Sequence, residues 1–253
     1  VKVEKAKLSN FLNDIIEEHD PWNIEKFHIS DSSDCVRAIA LRMLGYKGEE
    51  WDKKPQIIGS AIHNHVQGLL LRGGFVKRED IEVRVEDLAL NLAGSADIII
   101  SGHQLKRVVE SLPGEESASY LLEIKSKGDN LVASGDSSFE KYTKDPELSH
   151  IAQVQGYMEY LEIDWALIIY INKRTGESVG FWVKRDATTG KMIKEKALYI
   201  KEFVDRKELP PHPYNIDDEK CIGKQRRDGT RYFICPWQKV CWEEMEYSPL
   251  ADG

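Results

Sequence analysis

Apolar positions recur at helical spacing through the first third of the chain and at two-residue spacing through its middle. In EKAKLSNFLNDIIEEH, Leu8, Phe11, Leu12, Ile15 and Ile16 make one helical stripe. SSDCVRAIALRMLGYKG predicts a second helix, capped by Ser32, Ser33 or Asp34 and stopped at Gly45. IIGSAIHNHVQGLLLRGG predicts a third, ended by Gly73 and Gly74. Then the period changes. IEVRVED alternates, LALNLAGSADIII runs into a second strand, and SYLLEIKSKG is a third, with SLPGEESAS as the loop before it. KGDNLVASGDSSFEKYTKDPELS is long, polar and without a clear period, the kind of loop that is often functional or mobile.

PELSHIAQVQGYMEYLEI predicts a helix with Pro146 near its first turn. DWALIIYINKRTGESVGFWVKRD predicts two strands around a Thr175-Gly176 turn, and GKMIKEKALYIKEFVDRKEL an amphipathic helix stopped by Pro210-Pro211. The order is helices, strands, helix, strands, helix. It predicts a mixed α/β domain, a central mixed sheet flanked by helices. A helical part (1–75), a core (76–209) and a cysteine-bearing tail (210–253) make up one domain (1–253).

Composition narrows the class. With 253 residues, 41% hydrophobic and 31% charged, the chain can bury a core without a staple. No apolar run approaches a membrane span, and the charged start is unlike a signal peptide, so no membrane role is expected. Four cysteines without a secretory signal point to a cytoplasmic protein whose thiols are reduced, metal-bound or catalytic. A net charge of −8 counts against a broad electrostatic grip on nucleic acid. A single cleft, with metal ions supplying positive charge, remains compatible.

The chemistry concentrates in the middle. Glu123 and Lys125 are two apart on a predicted strand and therefore share a face. Asp97 enters an apolar strand, where a carboxylate is expensive unless something satisfies it. Two carboxylates and a lysine can hold Mg²⁺ and activate a water, with Lys125 orienting or deprotonating that water or neutralising the developing charge. Read alone, Glu-x-Lys is more simply a strand-surface ion pair, with Asp97 ending a strand. His63 follows the small residues Gly59, Ser60 and Ala61. It is either a packed or exposed helix histidine or a neutral imidazole completing a metal shell. Gln153 and Tyr157, four apart on a helix, either bind a phosphate or base edge or cover a core edge.

Taken in order, GSAIHNHV, GSADI, LLEIKSKG and QVQGY resemble the PD-(D/E)xK nuclease superfamily, and within it the RecB-type branch. Gly94 and Asp97 match G-x-x-D, Glu123 and Lys125 match E-x-K, and Gln153 and Tyr157 match Q-x-x-x-Y. The resemblance implies a restriction-endonuclease-like core with a Mg²⁺ or Mn²⁺ site. Its ligands would be His63, Asp97, Glu123 and the Ile124 carbonyl, with Lys125 acting on the attacking water and Gln153 and Tyr157 beside the DNA. It implies a metal-dependent deoxyribonuclease, an exonuclease on single strands or ends in recombination, repair or CRISPR adaptation. The cell would be bacterial, archaeal or virus-infected, and an integrase, helicase or recombinase the partner. The alternatives are a partner-dependent or non-catalytic end-processing module and a zinc-stapled structural protein.

Cysteines complete the resemblance. CRISPR-adaptation nucleases and AddB-type nuclease domains carry a [4Fe-4S] cluster ligated by one early and three late cysteines. Here those would be Cys35, in CVRAIALRMLGY, and Cys221, Cys235 and Cys241. CPWQKVC matches the closing C-x5-C. Thirteen residues between Cys221 and Cys235 replace the usual C-x-x-C, so zinc, or four unrelated buried thiols, remain alternatives. The Asp228-Gly229 turn in KQRRDGTRYF predicts a hairpin that loops out and returns. Its Lys224, Arg226, Arg227 and Arg231, with Tyr232 and Phe233, would either meet a nucleic-acid strand or form a solvated face.

Overall fold

A central six-stranded sheet carries the chain, in the order β1-β3-β4-β5-β6 with β2 on the free side of β3. The strands are β1 (Phe27–His28), β2 (Ile81–Asp87), β3 (Leu92–Ser101), β4 (Ser119–Lys127), β5 (Trp165–Asn172) and β6 (Ser178–Lys184). The computed structural model describes residues 25–49, 54–128, 139, 143–214, 218–222, 224–225, 231–232 and 235–242. The predicted helix at 4–19, most of the polar loop after Gly128, and Arg226, Arg227 and Phe233 lie outside the described residues.

The pairing is mixed, as the alternation of helical and strand patterns predicts. β4 and β5 run parallel because the helix α4 (Leu148–Leu161) carries the chain back between them. The other long pairs, β2–β3, β3–β4 and β5–β6, are antiparallel. Two apolar clusters lie on either side of the sheet. One gathers Phe27, Ile29, Leu121, Val154, Met158, Ile168 and Ile193, and so joins α1 (Val36–Met43), α4 and α5 (Ala187–Asp205) to one face. The other gathers Ile98, Ile100, Tyr120, Leu122 and Ile124 against Val66 and Leu70 of α2 (Lys54–Arg72). β4 therefore sends its even residues toward α2 and its odd residues, Leu121, Glu123 and Lys125, toward α4.

β3 departs from regular pairing at one place. Its ladder with β2 spans Leu92 to Ile98, but its ladder with β4 begins only at Ile98, opposite Leu122. The even residues of β3 pass from one cluster to the other between Ala96 and Ile98. Asp97 stands at this divergence.

Several boundaries differ from the sequence pattern for identifiable reasons. Cys35, in extended conformation, is the N-cap of α1 and makes no side-chain cap bond, whereas Ser32, Ser33 or Asp34 was the predicted cap. The carbonyls of Asp31, Ser32 and Asp34 instead turn to the Lys196 ammonium of α5, at 3.2, 2.8 and 2.5 Å, which holds this segment away from the helix start. α5 begins three residues before the pattern because Asp186 caps it, accepting from Thr188 and Thr189 N–H. The short α3 (Gly102–Leu105) and the two-residue β1 have too few residues to show a period. Gly176, at φ +75°, makes the predicted β5–β6 turn, and Asn172 Oδ1 accepts from the Arg174 and Thr175 N–H groups inside it.

The tail contributes α6 (Glu219–Ile222), a two-stranded hairpin of β7 (Lys224–Gln225) and β8 (Arg231–Tyr232), and α7 (Gln238–Trp242). The hairpin stands where the Asp-Gly turn predicted it. Among the described residues no helix is long and apolar enough to cross a membrane.

Candidate active site

At the gap left by β3, Ile124 would have no β-ladder partner for its N–H. The Asp97 carboxylate takes that place, with Oδ2 accepting from Ile124 N–H at 2.7 Å. Asp97 is only 7% exposed, and this bond is part of what makes its burial tolerable. The same oxygen lies 3.4 Å from His63 Nδ1. Burial works against the imidazolium, but the hydrogen bond and the charge of Asp97 outweigh it and raise the histidine above its ordinary value. Beside Asp97 the imidazole takes up a proton more readily than an ordinary histidine. His65, two residues on, points outward and is exposed.

α2 reaches the site because it approaches β4 closely. A methyl group on Gly59 would sit 3.2 Å from Ser126 Oγ, so the small residue noted in the sequence does lie at a close contact. One turn after His63, Gln67 is also part of the site. It donates to Glu82 Oε1 at 2.7 Å and reaches the Asp97 carbonyl at 3.4 Å, and Ser95 Oγ donates to Glu82 Oε2 at 2.8 Å. Sequence reasoning missed Gln67; the signal was its spacing of four from His63, which puts both on one helix face.

On the other side of the gap, Glu123 is 1% exposed. Its Oε1 meets Lys125 Nζ at 2.8 Å, while its Oε2 is buried with no hydrogen-bond partner. Burial, and then the charge of Asp97, push its carboxyl up to about 7 against the pull of Lys125. The ion pair expected of a plain Glu-x-Lys strand is present, but it is not a surface pair. Lys125 also donates to Gln153 Oε1 at 2.8 Å. Gln153 in turn is in hydrogen-bond contact with the Tyr157 hydroxyl, which also meets the Ser95 backbone. The structure thus brings His63, Asp97, Glu123, Lys125, Gln153 and Tyr157 together as one connected set. Gln155 lies on another face of α4, bonded to the Lys184 carbonyl, and Tyr160, further along the helix, donates to Asp87.

The donor chemistry suits a divalent cation: buried carboxylates, one with an unpartnered oxygen, an imidazole and a strand carbonyl. As they stand, no three His, Cys, Asp or Glu side chains among the described residues converge closely enough to hold a metal.

Several solved structures align with the chain. LHK-Exo, solved in complex with dAMP, aligns with a TM-score of 0.51 and 15% identity, over 73% of this chain and 90% of its own. The fold is restriction-endonuclease-like. An alkaline exonuclease from Laribacter hongkongensis, again LHK-Exo, aligns at TM-score 0.49 and 15% identity over 76% and 93% of the two chains. A phage-related exonuclease from Haemophilus somnus aligns at 0.48 and 16% over 72% and 94%. No family model matches the chain, and no curated protein does.

The four cysteines are free thiols, all partly buried. Burial raises Cys221, Cys235 and Cys241, Cys235 to about 11, and the nearby Cys35 thiol adds to the rise in all three. Cys235 N–H donates to the Cys221 carbonyl at 3.1 Å. The tail is also tied to the α1 region without any thiol. Arg37 donates to the Pro210 carbonyl at 2.6 Å, and Glu49 N–H to the Pro236 carbonyl at 2.8 Å. His212 was not singled out in the sequence; its Nδ1 lies 3.5 Å from Cys241 Sγ and its ring stacks on Trp242.

Proposed function

We propose that the chain is a metal-dependent deoxyribonuclease of the RecB type, an exonuclease on single-stranded DNA or DNA ends. The observation that carries this reading is Glu123: a fully buried carboxylate with one oxygen unpartnered, next to Asp97 and Lys125, on a fold shared with an exonuclease. A buried group so poorly satisfied is retained at a stability cost, and such sites are characteristically functional.

Mg²⁺ or Mn²⁺ would be held by Asp97, Glu123, His63 and the Ile124 carbonyl, and when bound supplies the charge that acidifies a water and braces the phosphate. Lys125, fixed between Glu123 and Gln153, keeps an ammonium at the edge of the carboxylates. There it orients the attacking water or neutralises charge developing on the phosphate oxygens. Gln153 and Tyr157 line the side of the site along which a DNA strand would pass. The dAMP in LHK-Exo belongs to that protein and supports a nucleotide substrate here.

The four cysteines are proposed to hold a [4Fe-4S] cluster, with zinc the alternative, as a clasp between the start of α1 and the tail. Iron, sulfide and zinc analysis of anaerobically purified protein decides it.

Cleavage of end-blocked and end-exposed DNA, single- and double-stranded, with Mg²⁺ or Mn²⁺, tests the main reading. Asp97→Ala, Glu123→Ala and Lys125→Ala should each abolish cleavage, and full activity in all three would overturn it. The net charge of −8 favours a second reading, in which an integrase, helicase or recombinase supplies the grip on DNA. That reading predicts cleavage only in the complex.

A further inference from the structure

One turn before Gln153, and on the same face of α4, lies a histidine that the motifs do not include. His150 precedes Gln153 by three and Tyr157 by seven, which extends their stripe toward the start of the helix. Below it is Tyr170 of β5, which pairs in register with Lys125 of β4. Tyr170 is fully buried. Its hydroxyl oxygen accepts from Glu147 N–H at 2.9 Å and lies 2.7 Å from His150 Nδ1. A backbone N–H can only donate, and among the described residues Nδ1 is the acceptor that the buried phenol hydrogen reaches; the converse arrangement, with Nδ1–H donating, would leave that hydrogen without an acceptor. This places the imidazole's own hydrogen on Nε2. The nearest carboxylate oxygen to Nε2, Glu147 Oε2, is 3.9 Å away, too far for a hydrogen bond.

The imidazole is also kept neutral. Burial, and then the charge of Lys125, lower it to about 4, with Lys127 adding to the fall and Glu147 opposing it. Lys127, two residues after Lys125 on the same face of β4, lies beside it. Its ammonium sits 4.4 Å from the centre of the Tyr170 ring and 3.0 Å from Glu147 Oε1. A step of two residues along a strand is about 6.6 Å. That is about the step between successive phosphates of an extended single strand.

We propose that His150 and Lys127 form a phosphate subsite one nucleotide from the attacked bond, in which the His150 Nε2–H donates to a non-bridging oxygen. The subsite rests on the nuclease reading above and deepens it. Tyr170 is the positioning residue: it touches no substrate and acts by holding the tautomer. A neutral, oriented donor suits a contact that fixes register, and Lys127 supplies the charge.

The test separates binding from cleavage. Single-stranded oligonucleotides carrying one neutral methylphosphonate at each position in turn are bound to wild-type protein in Ca²⁺, followed by fluorescence anisotropy, and cleaved in Mg²⁺. His150→Ala should weaken binding about tenfold and raise KM with kcat changed less than threefold. One methylphosphonate position beside the scissile bond should weaken wild-type binding similarly and add nothing further in His150→Ala. His150→Gln, which keeps an N–H donor, should recover most of the affinity, and Tyr170→Phe should lose part of it. If every methylphosphonate penalty is the same in His150→Ala as in wild type, or if kcat falls with binding intact, the subsite is overturned. Should His150→Ala fail to fold, Tyr170→Phe and His150→Gln carry the same comparison. Wild-type protein that binds DNA without cutting it would overturn the nuclease reading and leave the subsite to be judged on the binding data. Protein that neither binds nor cuts would overturn both.

Discussion

The ring of Tyr157 occupies the space that a side chain at Gly94 would need. A methyl group there would stand 2.7 Å from Tyr157 Cε1 and 3.2 Å from Ile29. The first position of the G-x-x-D pattern is thus a packing requirement of α4, three residues before the carboxylate it introduces. Gly94→Ala should destabilise the fold by about 1–3 kcal/mol, the usual range for overpacking a core. It should also displace Tyr157, and with it Gln153 and Lys125. Urea unfolding checks the first effect. The second predicts a loss of cleavage at temperatures where the variant is still folded.

Asp97 does two separable things. Its charge is the one the proposed metal would need, and its oxygen satisfies the buried Ile124 N–H. Asp97→Asn keeps an acceptor and loses the charge, so it should stay near wild-type stability while cleavage falls at least a hundredfold. Asp97→Ala removes both and should cost a further ~1–3 kcal/mol, the penalty for a buried donor left unsatisfied. Equal stability of the two variants would show that Oδ2 is not a structural partner of Ile124.

Glu123 makes stability depend on pH in the direction opposite to an ordinary carboxylate. Held at about 7 instead of 4.5, it binds its proton more tightly in the folded chain than in the unfolded one. Its contribution is fully present in acid, below about 4.5, and is lost as pH rises through about 7. The loss is ~3 kcal/mol at 1.36 kcal/mol per pKa unit. In EDTA, wild-type urea midpoints should fall from pH 5 to 8 more steeply than those of Glu123→Gln. At pH 8 the variant should be the more stable protein and inactive.

Divalent metal should reverse that loss. A ligand that binds only the folded state adds about 2.7 kcal/mol at a hundred times its Kd. Saturating Mg²⁺ or Mn²⁺ at pH 8 should therefore raise the thermal midpoint of wild-type protein and leave Glu123→Gln nearly unchanged. Under the proposed ligand set a proton on His63 would compete with metal, and Asp97 favours that proton, so the gain should shrink as pH falls.

For the cysteines, Cys35→Ala should lose metal and solubility as severely as Cys241→Ala, despite lying at the other end of the chain. Full metal content in Cys35→Ala would restrict the site to the tail. His212→Ala distinguishes a packing role for the Cys241–His212–Trp242 stack from one in metal retention. Packing alone predicts lower stability with metal content unchanged.

The motif residues Asp97, Glu123, Lys125, Gln153 and Tyr157 were legible in the sequence because each pair lies within one element. Alternation on a strand and a spacing of four on a helix are local properties, readable without tertiary contacts. So were the order of most elements, the Gly176 turn and the tail hairpin. Gln67, Tyr170 and His150 were not singled out, since what matters in them is a partner on another element. The cap of α1 was misplaced for the same reason: Lys196, 160 or more residues along, decides where the Ser32 and Asp34 carbonyls point.

The sequence by itself determined which side chains share a face and in what order the chemistry arrives. Only the tertiary structure decided that β3 leaves β4 at Asp97 and that Glu123 loses water on one oxygen. Each of these depends on surfaces brought together from distant parts of the chain. Periodicity records which way a side chain faces, but burial and charge depend on what is packed against it.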